Sequence, residues 1–403
     1  MTNQAGESPA AVAVPAPGYR GVPVVGMVGA GQLARMTCQA AIGLGIGFRV
    51  LAADAAESAA QVCAGTRVGD YRSGADLLAF AAGCDVVTFD HEQVPGPQLA
   101  ALEAAGAAVR PAPAALRFAQ DKRAMRNRLA AMGIACPRFV TVTSSDDITG
   151  LAAARGWPVV LKAVSGGYDG RGVWVCATAG EAAEVLAHAR GHGLELIAEE
   201  YVAFERELAA LVARSPAGQG AAYPVVQTVQ RDGICREVLA PAPGLSAGRR
   251  AEAQRLALTI AAELGVTGLL AVELFETADG LLVNELAMRP HNCGHWTIEG
   301  STTSQFEQHL RAVLNLPLGA PGLAGRNAVM VNILGGDDPD LHDRLIHVMA
   351  ADPGVKVHLY GKVVRPGRKV GHVTVVGDDL AEIGDRARRA ASYLSLGTEQ
   401  PSA

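Results

Sequence analysis

The sequence predicts a protein of mixed α/β and α+β class with several domains. Its 403 residues are more than one hydrophobic core usually contains. At residues 22–54, an apolar strand, a glycine turn, a helix and a strand ending in an acid follow in the order of a Rossmann-like βαβ unit. Further along, a glycine-rich turn separates two apolar strands, and an Asp-Gly turn joins two more. We therefore expect a Rossmann-like domain followed by α+β units.

The composition is that of an ordinary globular protein. Hydrophobic residues make up 49% of the chain and charged residues 19%, which allows sizeable cores. The formal net charge of −5 argues against a general nucleic-acid or anionic-membrane binder. No apolar run reaches the roughly 18 residues that span a bilayer. The seven cysteines are scattered singly and are expected to be reduced, as is typical of the cytoplasm. We expect a cytoplasmic protein with neither a nucleic-acid nor a membrane partner.

The first domain is expected at residues 21–113, after a flexible leader at residues 1–20 that lacks the basic region of a signal peptide. Its glycine turn is Gly29-Ala30-Gly31, and Asp54 ends the second strand. The N-terminus of the intervening helix could hold an anion, so NAD and another phosphorylated ligand are both candidates. Glu92 follows a third strand, where it is either a substrate contact or a solvated loop acid.

A glycine-rich turn at residues 165–172 is the most distinctive local feature of the chain. It follows a helix that runs through residues 120–123 to about Met132, where Lys122 on a solvated face is the default expectation. Lys162 ends the strand that leads into the turn, where its ammonium could meet a phosphate. Glycine is typical where backbone approaches a ligand closely, and an ordinary hairpin turn is the alternative. The next predicted elements are strands around 194–197, 208–213 and 223–229, and a helix at about 247–264.

Two strands at residues 268–275 and 280–286 are predicted to form a hairpin. Each carries one acid, Glu273 or Glu285, and Asn284 precedes the second. Paired strands can bring two carboxylates onto one face, where they hold a hard cation such as Mg²⁺ together with phosphate oxygens. An unpaired charge on a central strand is costly to bury. The pattern therefore predicts a metal site on this hairpin.

Cationic side chains are concentrated in two segments after the hairpin. Arg289 and His291 lie in the loop directly downstream and are interpreted as anion or substrate contacts. Beyond a Pro/Gly-rich linker at residues 317–325, the most basic stretch of the chain is residues 362–372. It could be a surface patch, but in a net-acidic protein we favour a local phosphate pocket.

Together these motifs resemble the ATP-grasp superfamily and, within it, the N5-carboxyaminoimidazole ribonucleotide synthetases. The resemblance covers roughly residues 22–395 and includes the hinge-like run Glu199-Glu200-Tyr201-Val202. The motifs that carry it are Gly29-Ala30-Gly31-Gln32-Leu33, Gly167-Tyr168-Asp169-Gly170-Arg171-Gly172, Asn284-Glu285-Leu286-Ala287, Arg289, His291-Asn292, Gly294-His295-Trp296-Thr297 and Arg365-Pro366-Gly367-Arg368-Lys369-Val370-Gly371-His372. It implies an ATP-grasp fold with a Rossmann-like domain at 21–113, an ATP-grasp domain at 114–316 with a lid subdomain at about 137–206, and a small C-terminal domain at 317–403.

The resemblance also implies a reaction, in which bicarbonate carboxylates 5-aminoimidazole ribonucleotide at the expense of ATP, by way of carboxyphosphate, in de novo purine biosynthesis. ATP and Mg²⁺ are the implied cofactors, with Mn²⁺ as a substitute, and a homodimer is implied. A formate-dependent glycinamide ribonucleotide transformylase is the nearest rival, but it does not predict the basic C-terminal motif. An NAD-dependent dehydrogenase leaves the paired acids unexplained. A nucleotide sensor without turnover is disfavoured by the intact Lys162, Glu273 and Glu285.

Carried over by position, the resemblance implies a role for each site residue. The implied ATP contacts are Lys122, Lys162, Gly167, Tyr168, Asp169, Gly170, Arg171, Gly172, Val173, Glu199, Glu200, Tyr201, Val202, Glu207, Gln230, Asn284 and Glu285. The implied substrate contacts are Glu92, Tyr168, Arg289, His291, Lys362, Arg368 and Lys369. The implied catalytic residues are Asp169, Arg171, Arg289, His291 and Lys362, with Asp169 or His291 as the proton acceptor. Glu273 and Glu285 are the implied metal ligands. Lys122 stands where the family has Arg, and Gln230 stands where it has His.

Overall fold

The structure is a computed structural model that describes residues 21–167 and 170–398. The predictions made for the leader at residues 1–20, for Tyr168 and for Asp169 fall outside the described residues. Within the described part, the strands form three sheets.

The N-terminal part is a four-stranded parallel sheet with helices, which confirms the Rossmann-like prediction and adds a strand at residues 65–68 that the sequence did not predict. Its elements are β1 (Val24–Val28), α1 (Gln32–Gly43), β2 (Gly47–Ala52), β3 (Gly65–Val68), α2 (Gly74–Ala81), β4 (Val86–Phe89) and α3 (Gly96–Ala104). The strand order is β3-β2-β1-β4, and all pairs are parallel. Every residue of β4 is buried, which is typical of a parallel strand covered on both faces.

The single helix predicted to run through residues 120–123 is in fact two helices, α4 (Pro113–Gln120) and α5 (Lys122–Ala131). Asp121 between them is extended, and its carboxylate accepts a hydrogen bond from the backbone N–H of Ala124 at 2.7 Å. An aspartate in this position caps a new helix because it satisfies a backbone donor that has no partner within the helix. The backbone N–H of Lys122 is thereby free to donate to the carbonyl of Val164, next to the glycine-rich turn, at 2.9 Å.

The glycine-rich turn belongs to a separate four-stranded antiparallel sheet, which we call the lid sheet. Its elements are β5 (Phe139–Val142), α6 (Ser145–Arg155), β6 (Val159–Ala163), β7 (Val173–Cys176), α7 (Ala179–Gly191) and β8 (Leu196–Glu200). The strand order is β5-β8-β6-β7, so the turn joins two paired strands as predicted. Both helices contribute buried apolar side chains to the core of this unit.

The remaining strands form one nine-stranded antiparallel sheet, which we call the main sheet. Its central part comprises β9 (Arg206–Arg214), β10 (Gly220–Ala222), β11 (Val226–Arg231), β12 (Ile234–Ala240), α8 (Ala247–Glu263), β13 (Gly268–Thr277), β14 (Gly280–Ala287), α9 (Thr297–Gly300) and α10 (Gln305–Val313). Its C-terminal part comprises β15 (Asn327–Leu334), α11 (His342–Ala351), β16 (Lys356–Leu359), β17 (Lys369–Gly377) and α12 (Leu380–Leu396). The order is β14-β13-β9-β11-β12-β15-β17-β16, with β10 paired to β9.

The predicted hairpin of β13 and β14 forms at one edge of the main sheet, and β12 pairs with β15 to continue that sheet into the C-terminal part. The acids of the hairpin and the basic segment before β17 therefore share one scaffold. No helix within residues 21–167 and 170–398 has the length and apolar character needed to cross a membrane.

Candidate active site

A cleft of about 1150 Å³ gathers residues from the N-terminal part, the lid sheet and both parts of the main sheet. The predicted site residues that line it are Glu92, Lys122, Lys162, Gly167, Gly170, Val173, Glu199, Glu200, Tyr201, Val202, Glu207, Gln230, Glu273, Asn284, Glu285, Arg289, His291, Lys362 and Lys369. Three predicted residues, Arg171, Gly172 and Arg368, do not line it. The guanidinium of Arg368 instead donates to the backbone carbonyl of Val363 at 3.0 Å.

Beside the hinge-like run, which begins in the last two residues of β8, apolar side chains form a part of the cleft lining that we call the apolar slot. Val160 and Val175 face it from the lid sheet, and Phe204 and Phe275 line it from the other side. The two phenylalanine rings stack with centroids 4.8 Å apart and planes 6° from parallel. A narrow apolar slot flanked by backbone polar groups suits a flat heteroaromatic base.

Next to the slot, the ammonium of Lys162 is held by two groups. It lies 2.8 Å from a carboxylate oxygen of Glu199 and donates to the side-chain oxygen of Asn284 at 2.9 Å. The other carboxylate oxygen of Glu199 accepts from the Nε of Arg126 at 2.7 Å. The Glu199 side chain is therefore bound by two cations.

The two predicted metal ligands lie directly opposite each other, because Glu273 on β13 is the register partner of Glu285 on β14. Burial and the nearby carboxylates of Glu285 and Glu207 raise the pKa of Glu273 to about 7. Burial alone raises the pKa of Glu207 to about 7. The Nζ of Lys122 lies 2.6 Å from an oxygen of Glu285. Mutual repulsion of crowded carboxylates is relieved by a bound divalent cation, so this donor set fits Mg²⁺.

The acidic pair alone does not complete a metal centre. In the described part of the chain, no group of three or more His, Cys, Asp or Glu side chains is arranged to hold a metal ion. Two carboxylates with several open positions are typical of Mg²⁺ that binds together with nucleotide phosphates.

At the opposite end of the cleft, Glu92 and Arg289 form an ion pair of 2.7 Å between Oε2 and Nε. The second oxygen of Glu92, Oε1, is buried and has no hydrogen-bond partner among the described residues. A buried acceptor of this kind is costly unless a ligand or water donates to it. Of the two interpretations of Glu92, the geometry favours the ligand contact over the solvated loop acid.

His291 lies between the acidic pair and this ion pair. Its Nε2 is 3.7 Å from an oxygen of Glu273, and its Nδ1 accepts from the backbone N–H of Cys293 at 3.4 Å. Burial, together with the charges of Arg289 and Lys369, lowers the pKa of His291 to about 3. The ring is therefore neutral near pH 7. Because Nδ1 is an acceptor, the ring proton sits on Nε2, which makes His291 a hydrogen-bond donor on the cleft side.

At the N-terminus of α1, a protein carboxylate occupies two of the backbone donors that the sequence suggested for an anion. The carboxylate of Asp90 accepts from the backbone N–H groups of Gly31 and Ala34, both at 2.8 Å. A β-carbon on Gly31 would lie 2.4 Å from Asp90, so the glycine serves this internal contact. Two of the donors that would bind a dinucleotide pyrophosphate are thus occupied by a protein carboxylate, which weakens the NAD interpretation.

Sequence reasoning missed several residues that organise the cleft. Arg126 was not singled out from the sequence, although the buried Met125 and Leu129 on the same helix were a weak signal that it points inward. Gln32 accepts from the ammonium of Lys362. The side-chain oxygen of Gln305 accepts from the backbone N–H of His291 at 2.9 Å, and its side-chain nitrogen donates to the carbonyl of His291 at 2.8 Å. These two hydrogen bonds fix the loop that carries His291. No local pattern marks these residues, because their partners are distant in sequence.

Fold and site together define a ligase-type ATP-grasp enzyme. Family models match in the same order: a ribonucleotide synthetase preATP-grasp domain at residues 22–120, an ATP-grasp domain at 127–306 and a phosphoribosylaminoimidazole carboxylase C-terminal domain at 328–386. The N5-carboxyaminoimidazole ribonucleotide synthase of Mycobacterium tuberculosis (strain H37Rv) is 55% identical over 379 residues, which is 93% of this chain and 88% of the relative.

Solved structures agree with the sequence comparison. The carboxyaminoimidazole ribonucleotide synthase of Aspergillus clavatus complexed with ATP superimposes with a TM-score of 0.85 at 33% identity, covering 93% of this chain and 98% of that one. Its complex with ADP and 5-aminoimidazole ribonucleotide gives a TM-score of 0.85 at 32% identity, with the same coverage. The chain belongs to the N5-carboxyaminoimidazole ribonucleotide synthase family.

Proposed function

We propose that the protein carboxylates 5-aminoimidazole ribonucleotide with bicarbonate, consuming ATP and releasing ADP, phosphate and N5-carboxyaminoimidazole ribonucleotide in de novo purine biosynthesis. One observation carries the proposal. A single cleft combines an apolar slot, two lysines, a pair of facing carboxylates and an Arg–Glu pair with two further lysines. These groups match, in order, a base, its phosphates, a divalent cation and a phosphorylated amine.

The nucleotide end follows from the slot and the lysines. We assign the adenine to the slot beside Tyr201 and Val202, with Glu207 near the ribose. Lys122 and Lys162 would meet the phosphates, since both residues line the cleft and their ammonium groups contact Glu285 and Asn284 of the hairpin. Gln230 also lines the cleft, which supports a nucleotide contact in place of the usual His.

We infer that Glu273 and Glu285 hold Mg²⁺, with Mn²⁺ as a substitute. When bound, the ion would neutralise phosphate charge and polarise the transferred phosphoryl group. The protein's own cations act beside it. Lys122 and Lys162 stabilise the charge that develops as the γ-phosphoryl group leaves ADP.

The chemistry has two steps. A bicarbonate oxygen attacks the γ-phosphorus, the bond to ADP breaks, and carboxyphosphate forms. The amine of the second substrate then attacks the carboxyl carbon, the C–O bond to phosphate breaks, and the amine loses a proton. Carboxyphosphate is prone to hydrolysis, so the glycine-rich lid must exclude water.

Residues at the far end of the cleft would handle the second substrate. Arg289 and Lys362 would stabilise the carboxyl group that derives from bicarbonate. Lys369 would bind the phosphate of the ribonucleotide. The unpaired oxygen of Glu92 is placed to accept a hydrogen bond from the amine or ribose. Because Nδ1 of His291 already accepts from Cys293, we favour Asp169 over His291 as the proton acceptor.

Two broader inferences accompany this function. A homodimer is the expectation from the family, and light scattering on the purified protein tests it. A cytoplasmic location is supported by the seven cysteines, all of which are free thiols, as is usual in a reducing compartment. Fractionation of cells that express the protein tests the location.

The decisive experiment measures ADP release with ATP, Mg²⁺ and bicarbonate, with and without 5-aminoimidazole ribonucleotide. Strong stimulation by the ribonucleotide is expected, and none would overturn the proposal. Glycinamide ribonucleotide with formate serves as the competing substrate and should give no turnover. In the same assay, Glu285→Gln should lower turnover by about a hundredfold or more while the thermal unfolding midpoint stays close to that of the parent. Retained activity would rule out the metal role.

A further inference from the structure

Arg126 is a fully buried arginine that links its own helix, α5, to the strands β8 and β14. From α5 its Nε reaches the carboxylate of Glu199 on β8 at 2.7 Å. Its two terminal nitrogens donate to the backbone carbonyls of Val283 and Asn284 on β14, each at 2.8 Å. One guanidinium thus ties the lid sheet to the strand that carries the proposed metal ligand.

These bonds close a network around Lys162. Arg126 holds the backbone of Asn284, while Lys162 holds the side-chain oxygen of the same residue at 2.9 Å. Glu199 bridges the two cations from the other side. The position of the Lys162 ammonium is therefore set by two anchors, and Arg126 contacts both.

The charges in this network matter as much as its shape. It contains two cations and one carboxylate, so it carries a net positive charge next to the cleft. Burial alone would raise the pKa of Glu199, but Lys162 and Arg126 hold that pKa below its ordinary value, so the carboxylate is ionised. Without Arg126, the full negative charge of Glu199 would fall on Lys162 and weaken its attraction for a phosphate.

We infer that Arg126 is a positioning residue for ATP, which shares the charge of Glu199 and so leaves the Lys162 ammonium available to the nucleotide phosphates. It also holds the Asn284–Glu285 segment in register with the lid sheet. This role rests on the proposed function only in taking ATP as the ligand. An ordinary buried ion pair, with no effect beyond stability, is the competing explanation.

The test separates nucleotide binding from the overall reaction. Binding of ADP and of a non-hydrolysable ATP analogue is measured by calorimetry on the whole chain, so the result stands even if the carboxylation assay fails. Arg126→Met keeps the volume and loses the charge, and its Kd for the ATP analogue should rise about tenfold or more. Arg126→Lys keeps the charge but loses the fork to the two carbonyls, and it should recover most of the binding. If Arg126→Met does not fold, nucleotide binding is measured on Arg126→Lys instead.

A double variant gives the sharpest distinction. In Arg126→Met, the carboxylate of Glu199 is the group that neutralises Lys162, so adding Glu199→Gln should restore part of the lost affinity. A double variant that binds the nucleotide more weakly than Arg126→Met would overturn the inference.

Arg128→Met is the matched control. Arg128 lies on the same helix but is half-exposed and reaches Glu263 on α8, whose residues do not line the cleft. Its nucleotide Kd should match that of the parent. Parent-like nucleotide binding in Arg126→Met, with a lowered unfolding midpoint alone, would equally overturn the role.

Discussion

Arg368 and Lys369 are neighbours at the start of β17, yet their side chains have different surroundings. Lys369 lines the cleft together with Glu273 and His291. Arg368 is exposed, and its guanidinium donates to the carbonyl of Val363. The phosphate grip that the sequence assigned to both residues is therefore better assigned to Lys369.

This difference gives a direct comparison between adjacent residues. Lys369→Ala should raise the KM for 5-aminoimidazole ribonucleotide about tenfold or more, because a charge-assisted contact to phosphate is lost. Arg368→Ala should change that KM by less than about twofold. Steady-state kinetics with the ribonucleotide varied at saturating ATP measures this KM in both variants, and a second series with ATP varied gives the KM for ATP. Equal losses in the two variants would contradict the assignment, and an unchanged KM for ATP serves as the internal control.

Motif residues at the cleft could be predicted because their chemistry is unusual for their local context. Glu273 and Glu285 interrupt apolar strands, and a lysine precedes a run of glycines. Arg126 and Asp90 could not be predicted, since an Arg on a helix and an Asp after a strand are ordinary. Their roles come from partners far away in sequence, such as Glu199, 73 residues from Arg126.

The glycine-rich turn and the turn between β11 and β12 are in contact through the backbone of Gly170 and Gly233. A β-carbon on Gly233 would lie 2.9 Å from the Cα of Gly170, and Gly233 has a φ of +71° after Asp232 at +54°. This contact sets how closely the lid approaches the main sheet. The sequence did not predict it, because β12 and hence its turn were overlooked in the stretch between the strand at 223–229 and α8.

The glycine contact can be tested with two substitutions that carry similar backbone strain. Gly233→Ala and Gly218→Ala both force alanine into a left-handed conformation, at about 1–2 kcal/mol each. Gly218 has a φ of +82° with no atom within 4 Å of the added carbon, so only Gly233→Ala should displace the lid. Water then reaches carboxyphosphate, and the ratio of phosphate released to carboxylated product should rise at least about fivefold.

Phosphate and product are measured in the same reaction mixture. A ratio that rises equally in both variants would show that strain alone is responsible. A ratio that stays at the parent value in Gly233→Ala would show that the glycine contact does not control lid closure.

Elements with strong local signals were predicted well, and two short strands without such signals were missed. The glycine-rich turn between β6 and β7 and the hairpin of β13 and β14 were confirmed, because both have clear turn chemistry. The four-residue strands β3 and β16 have no distinctive alternation and depend on their neighbours in the sheet. The break at Asp121 is a capping signal that the helical pattern around it concealed.

At the scale of the whole molecule, the main sheet connects the two ends of the cleft. Residues 237–240 of β12 pair with residues 328–331 of β15, and Arg388 on α12 reaches Glu237 on β12 at 2.9 Å. The domain boundaries drawn from the sequence stay predictions. The pairing of β12 with β15 was not predicted, because strand pairing between distant segments leaves no trace in local composition. Only the resemblance to a family could anticipate that the basic C-terminal segment faces the acids of the hairpin.

This arrangement predicts that the two ligands protect different parts of the chain from hydrogen exchange. ADP with Mg²⁺ should slow exchange in β6, β8 and β14, which surround the slot and the lysines. 5-Aminoimidazole ribonucleotide alone should slow exchange in residues 289–295 and 360–373, which carry Arg289, Lys362 and Lys369. At a hundred times the Kd, local opening is disfavoured by about 2.7 kcal/mol, or roughly a hundredfold in rate.

Mass spectrometry of peptides from the intact protein measures this protection, and α7, which does not line the cleft, serves as the internal reference. Both ligands together should add protection at the glycine-rich turn, because we propose that this turn closes over both of them. Protection of residues 360–373 by ADP alone, with none from the ribonucleotide, would contradict the proposed placement of the two ligands in the cleft. Protection confined to the N-terminal part would instead mean that the C-terminal segment takes no part in substrate binding.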